Sequence, residues 1–429
     1  MPDTTTQKDT LAPPGFLKRR MAALWGLLVI MGPGIITSSV DNDAGGIATY
    51  TLAGADFGLA MLRFLAPITV VLIIVQEMVA RMALVSGKGL SDLIRERYGV
   101  KITFYFMVML LVTNLGTVLA NFAGIAAALE IFGISKYFSI PLSIFFLMWL
   151  VVKGTYRSVE KMFLTACVFY LAYPLAGFWV GPDWAEVADS MMTPAIRVST
   201  PFVVMLVGVI GTTISPWMLF YLQASMVDKG LGMKALRAAR VDVITGSVVV
   251  NVIAFFIILT CSATLFRWGI KVEDASQAAL ALRPIAGDYS GWLFAFGLFN
   301  ASMFAASVLP LSTSYTICEA FGWESSLDKK FSEAPEFYGL YCSLVLLSGL
   351  FILIPGLPLV PIMFVSQVLQ GVALPVVLVF LLLLINDPKV MKEHTNGFVL
   401  NLVSWVTVAA LTVLSLVMLA LLAMGKAAV

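Results

Sequence analysis

Two carboxylates stand two residues apart in Asp41-Asn42-Asp43-Ala44-Gly45-Gly46, between an apolar run from Met21 to Ile36 and an apolar helix that resumes at Ile47. A carboxylate near the middle of a membrane costs at least ~2.5–3.5 kcal/mol, so it needs a cation, a partner or water. Asp41 and Asp43 therefore read as cation ligands beside carbonyl oxygens freed from a helix. The alternative is a helix cap, or a wider aqueous vestibule with no ion bound. A second segment of this kind, Gly211-Thr212-Thr213-Ile214-Ser215-Pro216, lies far downstream. Thr212, Thr213 and Ser215 would offer it carbonyls or hydroxyls, or would serve as interhelical hydrogen-bonding residues.

The elements that must position these groups are membrane helices. Of the 429 residues, 60% are hydrophobic and only 12% charged, against roughly 25% charged in a soluble domain. A soluble enzyme is thereby excluded, and so are collagenous, disordered and disulfide-rich chains. Apolar stretches of about 20 residues, each able to cross a hydrocarbon core of about 30 Å, recur about eleven times. The expected spans are 22–55, 61–86, 101–131, 138–153, 161–181, 199–226, 241–268, 290–320, 337–355, 359–385 and 398–424. Lys18-Arg19-Arg20 ahead of Met21 imitate a secretory signal. The run that follows has no small-residue cleavage site, so it is read as a retained first span.

Alternate connections carry the Lys/Arg excess: Lys18/Arg19/Arg20, Lys88/Arg95/Arg97, Lys153/Arg157/Lys161, Lys229/Lys234/Arg237/Arg240, Lys329/Lys330 and Lys389/Lys392. The connection 182–198 instead holds Asp183, Glu186 and Asp189 against Arg197. By the positive-inside rule the N-terminus lies in the cytoplasm and, with an odd number of spans, the C-terminus outside. Pro and Gly should unwind the first span (Gly32-Pro33-Gly34 and Asp41 to Gly46) and the sixth at mid-membrane. Unwound backbone survives there only where it lines a cavity or is buried in protein. Interrupted helices at matching places in two halves mark a secondary transporter's binding site. Five spans per half would make the halves inverted repeats. The expected organisation is a tail over 1–21, a first repeat over 22–182, a second over 199–387, and a last span over 398–424.

The remaining polar groups read as structural. Glu77 and Arg81, at i and i+4 near the inner end of span 2, suit an ion-pair clamp. Asn114, Thr117, Asn251 and Asn300 read as links between helices, while Gln367 or Gln370 could reach the cavity. Cys167, Cys261, Cys318 and Cys342 are scattered with no metal-type spacing and read as small core residues. The one histidine, His394, falls in a polar loop.

Several stretches resemble the NRAMP divalent-metal transporters. Gly32-Pro33-Gly34 followed by Asp43-Ala44-Gly45-Gly46-Ile47-Ala48-Thr49 and Ala53-Gly54-Ala55-Asp56-Phe57-Gly58 is similar to that family's first span. Ser86-Gly87-Lys88-Gly89-Leu90 with Arg95-Glu96-Arg97-Tyr98 resembles the segment after its second span. Ser366-Gln367-Val368 through Leu374-Pro375, then Asn386-Asp387-Pro388, resembles its tenth. The resemblance implies an all-α polytopic protein of the LeuT-type fold: two inverted five-helix repeats plus an eleventh transmembrane helix, with helices 1 and 6 unwound.

The departures carry further expectations. The family's D-P-G-N stands here as Asp43-Ala44-Gly45-Gly46, which keeps the Asp ligand and puts Gly46 at the Asn position. Its A-x-x-M-P-H stands as Thr212-Thr213-Ile214-Ser215-Pro216-Trp217, so the thioether has become Ser215 and the following His has become Trp217. A second family His aligns with Leu222. The span-3 acids associated with proton movement align with Asn114 and Thr117, and residues 340–354 contain no Lys or Arg.

Sulfur favours softer transition metals, whereas carboxylate, carbonyl and water suit Mg²⁺, which keeps several waters. The resemblance thus implies the NRAMP-related magnesium transporter branch. The expected site is Asp43, Asp41, Gly46, Thr212 and Ser215, with Thr212 contributing backbone oxygen and Ser215 its hydroxyl. The expected activity is import of hydrated Mg²⁺, with Mn²⁺ as a second substrate, without proton coupling. Rival readings are a proton-coupled Mn²⁺/Fe²⁺ carrier, a Na⁺-coupled organic solute symporter and a non-transporting ion sensor. Neither enzymatic activity, a cofactor, a nucleic acid nor an obligatory protein partner is expected. The partners are divalent ions and the lipid bilayer, and the expected location is a bacterial inner membrane.

Overall fold

The computed structural model describes residues 33–153, 167–193, 199–327 and 329–424. Gly32, the cluster Lys18-Arg19-Arg20, and Arg157, Lys161 and Arg197 lie outside the described residues. Among those described, the regular structure is helical. The first span is broken into α1 (Pro33–Asp41) and α2 (Ala44–Phe57), and a short turn leads to α3 (Leu62–Ser86). There follow α4 (Leu90–Glu130), α5 (Lys136–Val152), α6 (Ala172–Trp179) and α7 (Trp184–Met192). The second broken helix is α8 (Thr200–Thr213) and α9 (Pro216–Asp228). Then come α10 (Leu236–Cys261), α11 (Ser290–Phe321), α12 (Pro335–Ile352), α13 (Leu359–Ile385) and α14 (Phe398–Ala423). Eight stretches among the described residues are long and apolar enough to cross a membrane, and Lys136–Val152 is a shorter apolar helix.

The breaks fall where local chemistry puts them, though more narrowly than composition suggests. Pro33 opens α1, and only Asn42 and Asp43 leave the helical path. Asp43 starts the next helix as its N-cap, its Oδ1 accepting from Gly46 N at 2.7 Å, which satisfies a donor that has no partner inside the helix. In the second broken helix Gly211, Thr212 and Thr213 stay helical, and the break is confined to Ile214 and Ser215. Pro216 causes it: the ring has no N–H for the Thr212 carbonyl and is shaped for the first turn of a new helix. Gly211 has a different use. A β-carbon there would run into the Gln367 carbonyl and the Gly371 backbone of α13, so the glycine lets two helix backbones touch.

These contacts bring the two breaks side by side. α2 packs on α8 and α1 on α9; α10 covers both α1 and α2, and α13 covers α2 and α8. The long helix α4 bends at Gly99, whose φ of 80° suits glycine. Its straight part runs against α11 and α13, carrying Asn114, Thr117 and Asn121 into the interior.

Glu77 and Arg81 form the expected ion pair at 3.2 Å. Arg240 of α10 joins Glu77 at 2.8 Å. Arg81 also donates to the His394 carbonyl at 2.7 Å and to Asn396 Oδ1 at 2.5 Å, so it fastens the connection between α13 and α14 onto α3. Arg81→Met should cost about 1.5–3 kcal/mol of stability, the worth of hydrogen bonds to a charged group, and so lower the thermal midpoint. Because the clamp is remote from the breaks, a Mg²⁺-dependent thermal shift should survive the substitution. Asn251 departs from its expected role: its Nδ2 donates to Ser247 O of its own helix, an i−4 back-bond rather than a link between helices. Cys261 and Cys318 are buried free thiols and Cys342 is half-buried; the Cys167 side chain lies outside the described residues.

Candidate metal site

Asp41, Asn42 and Asp43 are all buried, as are Thr212 and Ser215. The expected site residues converge. A β-carbon on residue 46 would lie 2.8 Å from Asp41 O, 3.1 Å from Thr212 Oγ1 and 3.5 Å from Asp43 Oδ1. Oxygens from both broken helices thus crowd about Gly46, closely enough that residue 46 has no room for a side chain, while Ser215 and Asp43 neighbour the Asp41 carboxylate.

Two details differ from expectation. It is the Thr212 hydroxyl, not its carbonyl, that faces Gly46 and lacks a hydrogen-bond partner. The Ser215 hydroxyl gives its proton to Gly211 O at 2.8 Å and Thr212 O at 3.2 Å. It thereby serves carbonyls that the break leaves short of donors, and has only lone pairs to offer an ion.

The two carboxylates are in opposite situations. Asp43 is held at both oxygens: Oδ1 by Gly46 N, and Oδ2 by Asn121 Nδ2 at 2.8 Å. Asp41 has neither oxygen hydrogen-bonded, and both amide atoms of Asn42 and Thr212 Oγ1 are likewise buried without a partner. An orphaned buried polar atom costs about 1–3 kcal/mol, and more if charged. The cluster is therefore suited to a ligand that brings positive charge and hydrogen-bonding water. Among the described residues no three His, Cys, Asp or Glu come together, so the cluster combines two carboxylates with neutral oxygens, a hard-cation donor set.

Beyond Asp43 the interior network is uncharged. Asn121 Nδ2 also donates to Thr117 O at 2.9 Å. Gln370 Nε2 donates to Thr117 Oγ1 at 2.7 Å and lies 3.4 Å from Asn114 Oδ1. Asn114 Nδ2 reaches Thr313 Oγ1 at 3.0 Å. Asn114 and Thr117 thus link α4 to α11 and α13, as expected of interhelical polar residues. Trp217 and Leu222, at the positions of the family's histidines, are buried in the core.

Sequence reasoning did not single out Asn121, Tyr50 or the use of Gln367. Tyr50 OH donates to Thr213 Oγ1 at 2.8 Å and so joins α2 to α8; Thr213 Oγ1 in turn donates to Val209 O. Gln367 lies against Gly45, where any side chain would collide with its carboxamide. A polar residue on the buried face of α4 was the one available signal for Asn121, and it does not reveal the partner.

The profile of the family described as natural resistance-associated macrophage protein-like matches residues 34–421. The chain belongs to the Nramp family. Nramp proteins are membrane transporters of divalent metal ions rather than enzymes, and the buried oxygen cluster between two broken helices is in keeping with that class. The manganese transporter of Eremococcus coleocola, crystallised with an aromatic bis-isothiourea compound, has the same fold. It superposes with a TM-score of 0.76 at 21% identity, covering 95% of this Nramp chain and 88% of its own. Mhp1, a nucleobase-cation-symport-1 family transporter in a closed conformation, matches with a TM-score of 0.56 at 16% identity over 92% of this chain and 91% of its own. The LeuT-type fold expected from the sequence is thus the fold found.

Proposed function

We propose that this Nramp protein imports Mg²⁺, with Mn²⁺ as a second substrate, by alternating access and without moving protons. The observation that carries the reading is the gathering of Asp41 O, Thr212 Oγ1 and Asp43 Oδ1 about Gly46 beside an unpartnered Asp41 carboxylate. Mg²⁺ takes oxygen ligands and sheds water reluctantly. A serine where the resemblance puts a thioether leaves a donor set made wholly of oxygen, the kind Mg²⁺ takes. Asp43 and Asp41 would supply the charge, Thr212 its hydroxyl oxygen, and Ser215 lone pairs at the rim. The hydrogen-bonded path from Asp43 through Asn121, Thr117, Gln370 and Asn114 contains amides and hydroxyls, which supports transport uncoupled from protons. The driving force would be the electrochemical gradient of the ion, inward at a negative-inside potential. On this reading the N-terminus is cytoplasmic, the C-terminus extracytoplasmic, and the location a bacterial inner membrane.

Proteoliposomes loaded with a Mg²⁺ dye and a pH dye, under a negative-inside potential, test the proposal. Mg²⁺ influx without acidification is expected. The second reading, a proton-coupled Mn²⁺ carrier, draws on the manganese transporter of the same fold. Mn²⁺ influx with acidification, in the absence of Mg²⁺ influx, would establish that reading instead.

A further inference from the structure

Three membrane helices meet around a recess of about 720 Å³ that shares no residue with the cluster at the two breaks. Arg97 and Tyr98 reach it from the part of α4 ahead of the Gly99 bend, Asn386 and Asp387 from the end of α13, and Asn401 from the first turn of α14. Its walls are tied to one another. Arg97 Nε is ion-paired with Asp387 Oδ2 at 2.8 Å, which joins α4 to α13. Asn386 Nδ2 donates to Asn401 Oδ1 at 2.7 Å, which joins α13 to α14. One turn deeper along each span the lining becomes apolar, with Leu383 on α13 and Trp405 on α14. These two side chains are open to the surroundings, 43% and 40% exposed. Tyr98 and Trp405 are the residue types that settle at a membrane–water boundary.

The recess is therefore polar at the ends of its helices and apolar toward the membrane interior, which suits an amphiphile. Charge selects the kind. A guanidinium carries five N–H donors; the ion pair uses Nε, and among the described residues Arg97 has no other partner. Asp387 thus steadies the guanidinium and leaves its terminal N–H groups to an outside acceptor, a geometry that matches phosphate. Exposed Lys101, Lys389 and Lys392 stand on the same segments. Their acidic neighbours face other groups, Glu96 at 2.6 Å from Lys88 and Glu393 at 3.8 Å from His394. We propose that this recess binds an anionic phospholipid, its phosphodiester on Arg97 and its acyl chains along Leu383 and Trp405. Basic recesses between membrane helices hold anionic headgroups in this way.

Native mass spectrometry of the purified full-length protein, titrated with phosphatidylglycerol and with phosphatidylcholine, is the test. The native chain should prefer phosphatidylglycerol by about fivefold or more, since one basic side chain at an anionic surface is worth about that factor. In Arg97→Gln and in Leu383→Trp the preference should fall toward unity. Leu383→Trp fills the apolar end and leaves the Arg97–Asp387 pair in place, so it carries the test should Arg97→Gln not fold. Lys153→Gln, at an exposed lysine ending α5, should keep the preference. No preference in the native chain, or one that survives in either folded recess variant, overturns the proposal. An equal loss in Lys153→Gln also overturns it, because diffuse surface charge would then be the cause. Added inorganic phosphate should leave the lipid adducts in place; full displacement would make this a site for a soluble anion. A doubled protein mass in place of lipid adducts would give the recess to a second copy of the chain, and either result overturns the lipid assignment.

Discussion

Asp41→Asn is expected to make the metal-free protein more stable and deaf to Mg²⁺, whereas Asp43→Asn should make it less stable and equally deaf. The opposite signs follow from the opposite surroundings of the two carboxylates. Asp41 is buried with neither oxygen hydrogen-bonded, so the carboxyl group opposes folding, charged or neutral, until a cation arrives. An amide of the same shape is still an unpartnered polar group but carries no charge, so the expected gain is at most the excess cost of a charged orphan over a neutral one. Asp43 accepts a hydrogen bond on each oxygen. In Asp43→Asn one oxygen can still cap α2 through Gly46 N, but the new NH₂ then faces the NH₂ of Asn121. Two donors without an acceptor should cost about 1–3 kcal/mol. Thermal unfolding with and without Mg²⁺ reads both effects. A ligand at a hundred times its dissociation constant stabilises the native chain by about 2.7 kcal/mol, and this shift should vanish in both variants. Equal stability of the two metal-free variants would mean that Asp41 is compensated in a way the hydrogen bonding does not reveal.

Gly211→Leu should be the most damaging substitution outside the site. At this position α8 touches α13 backbone to backbone, and Gly371 returns the contact with its own Cα hydrogens against Val207. A leucine forces the helices apart, and overpacking of this kind costs typically about 1–3 kcal/mol, occasionally more. The displacement also reaches Thr212, the next residue, whose hydroxyl packs closely against Gly46. Uptake and the thermal midpoint should therefore fall together. Gly339→Leu on α12 is the control, since no atom lies within 4 Å of a β-carbon there. Its effect should stay within about 0.5 kcal/mol. Comparable loss in both variants would remove the argument from close approach.

What was legible in the chain followed from residue types that leave a membrane helix few choices. Asp41 and Asp43 in an apolar run, and Pro216 after Ser215, announced two interruptions, and the interruptions are there. The spacing of Glu77 and Arg81 announced an ion pair on one helix face, and it forms. Which carboxylate is held and which is free was not legible, because the deciding partner, Asn121, comes from a helix 78 residues away. For the same reason Gly211 read as part of a break. Its neighbours on α13 are close in space and remote in sequence, and a glycine that permits contact looks the same in a string of letters as one that ends a helix. The sequence points to the Thr212 carbonyl, whereas its hydroxyl is the group without a partner and its carbonyl accepts from Ser215.

The unpartnered atoms around the first break also bear on kinetics. A carrier that delivers its cargo must swing back vacant before it can load again. On that return leg the Asp41 carboxyl group, the Asn42 amide and the Thr212 hydroxyl would travel through the low-dielectric interior with nothing to answer them. On the outbound leg the cation and its waters answer all three. The vacant return should then be the slow half of the cycle, so that swapping one ion for another across the bilayer outpaces net filling. Internal cargo would speed external uptake, and the carrier would behave as a fast exchanger and a slow net filler built from the same few atoms.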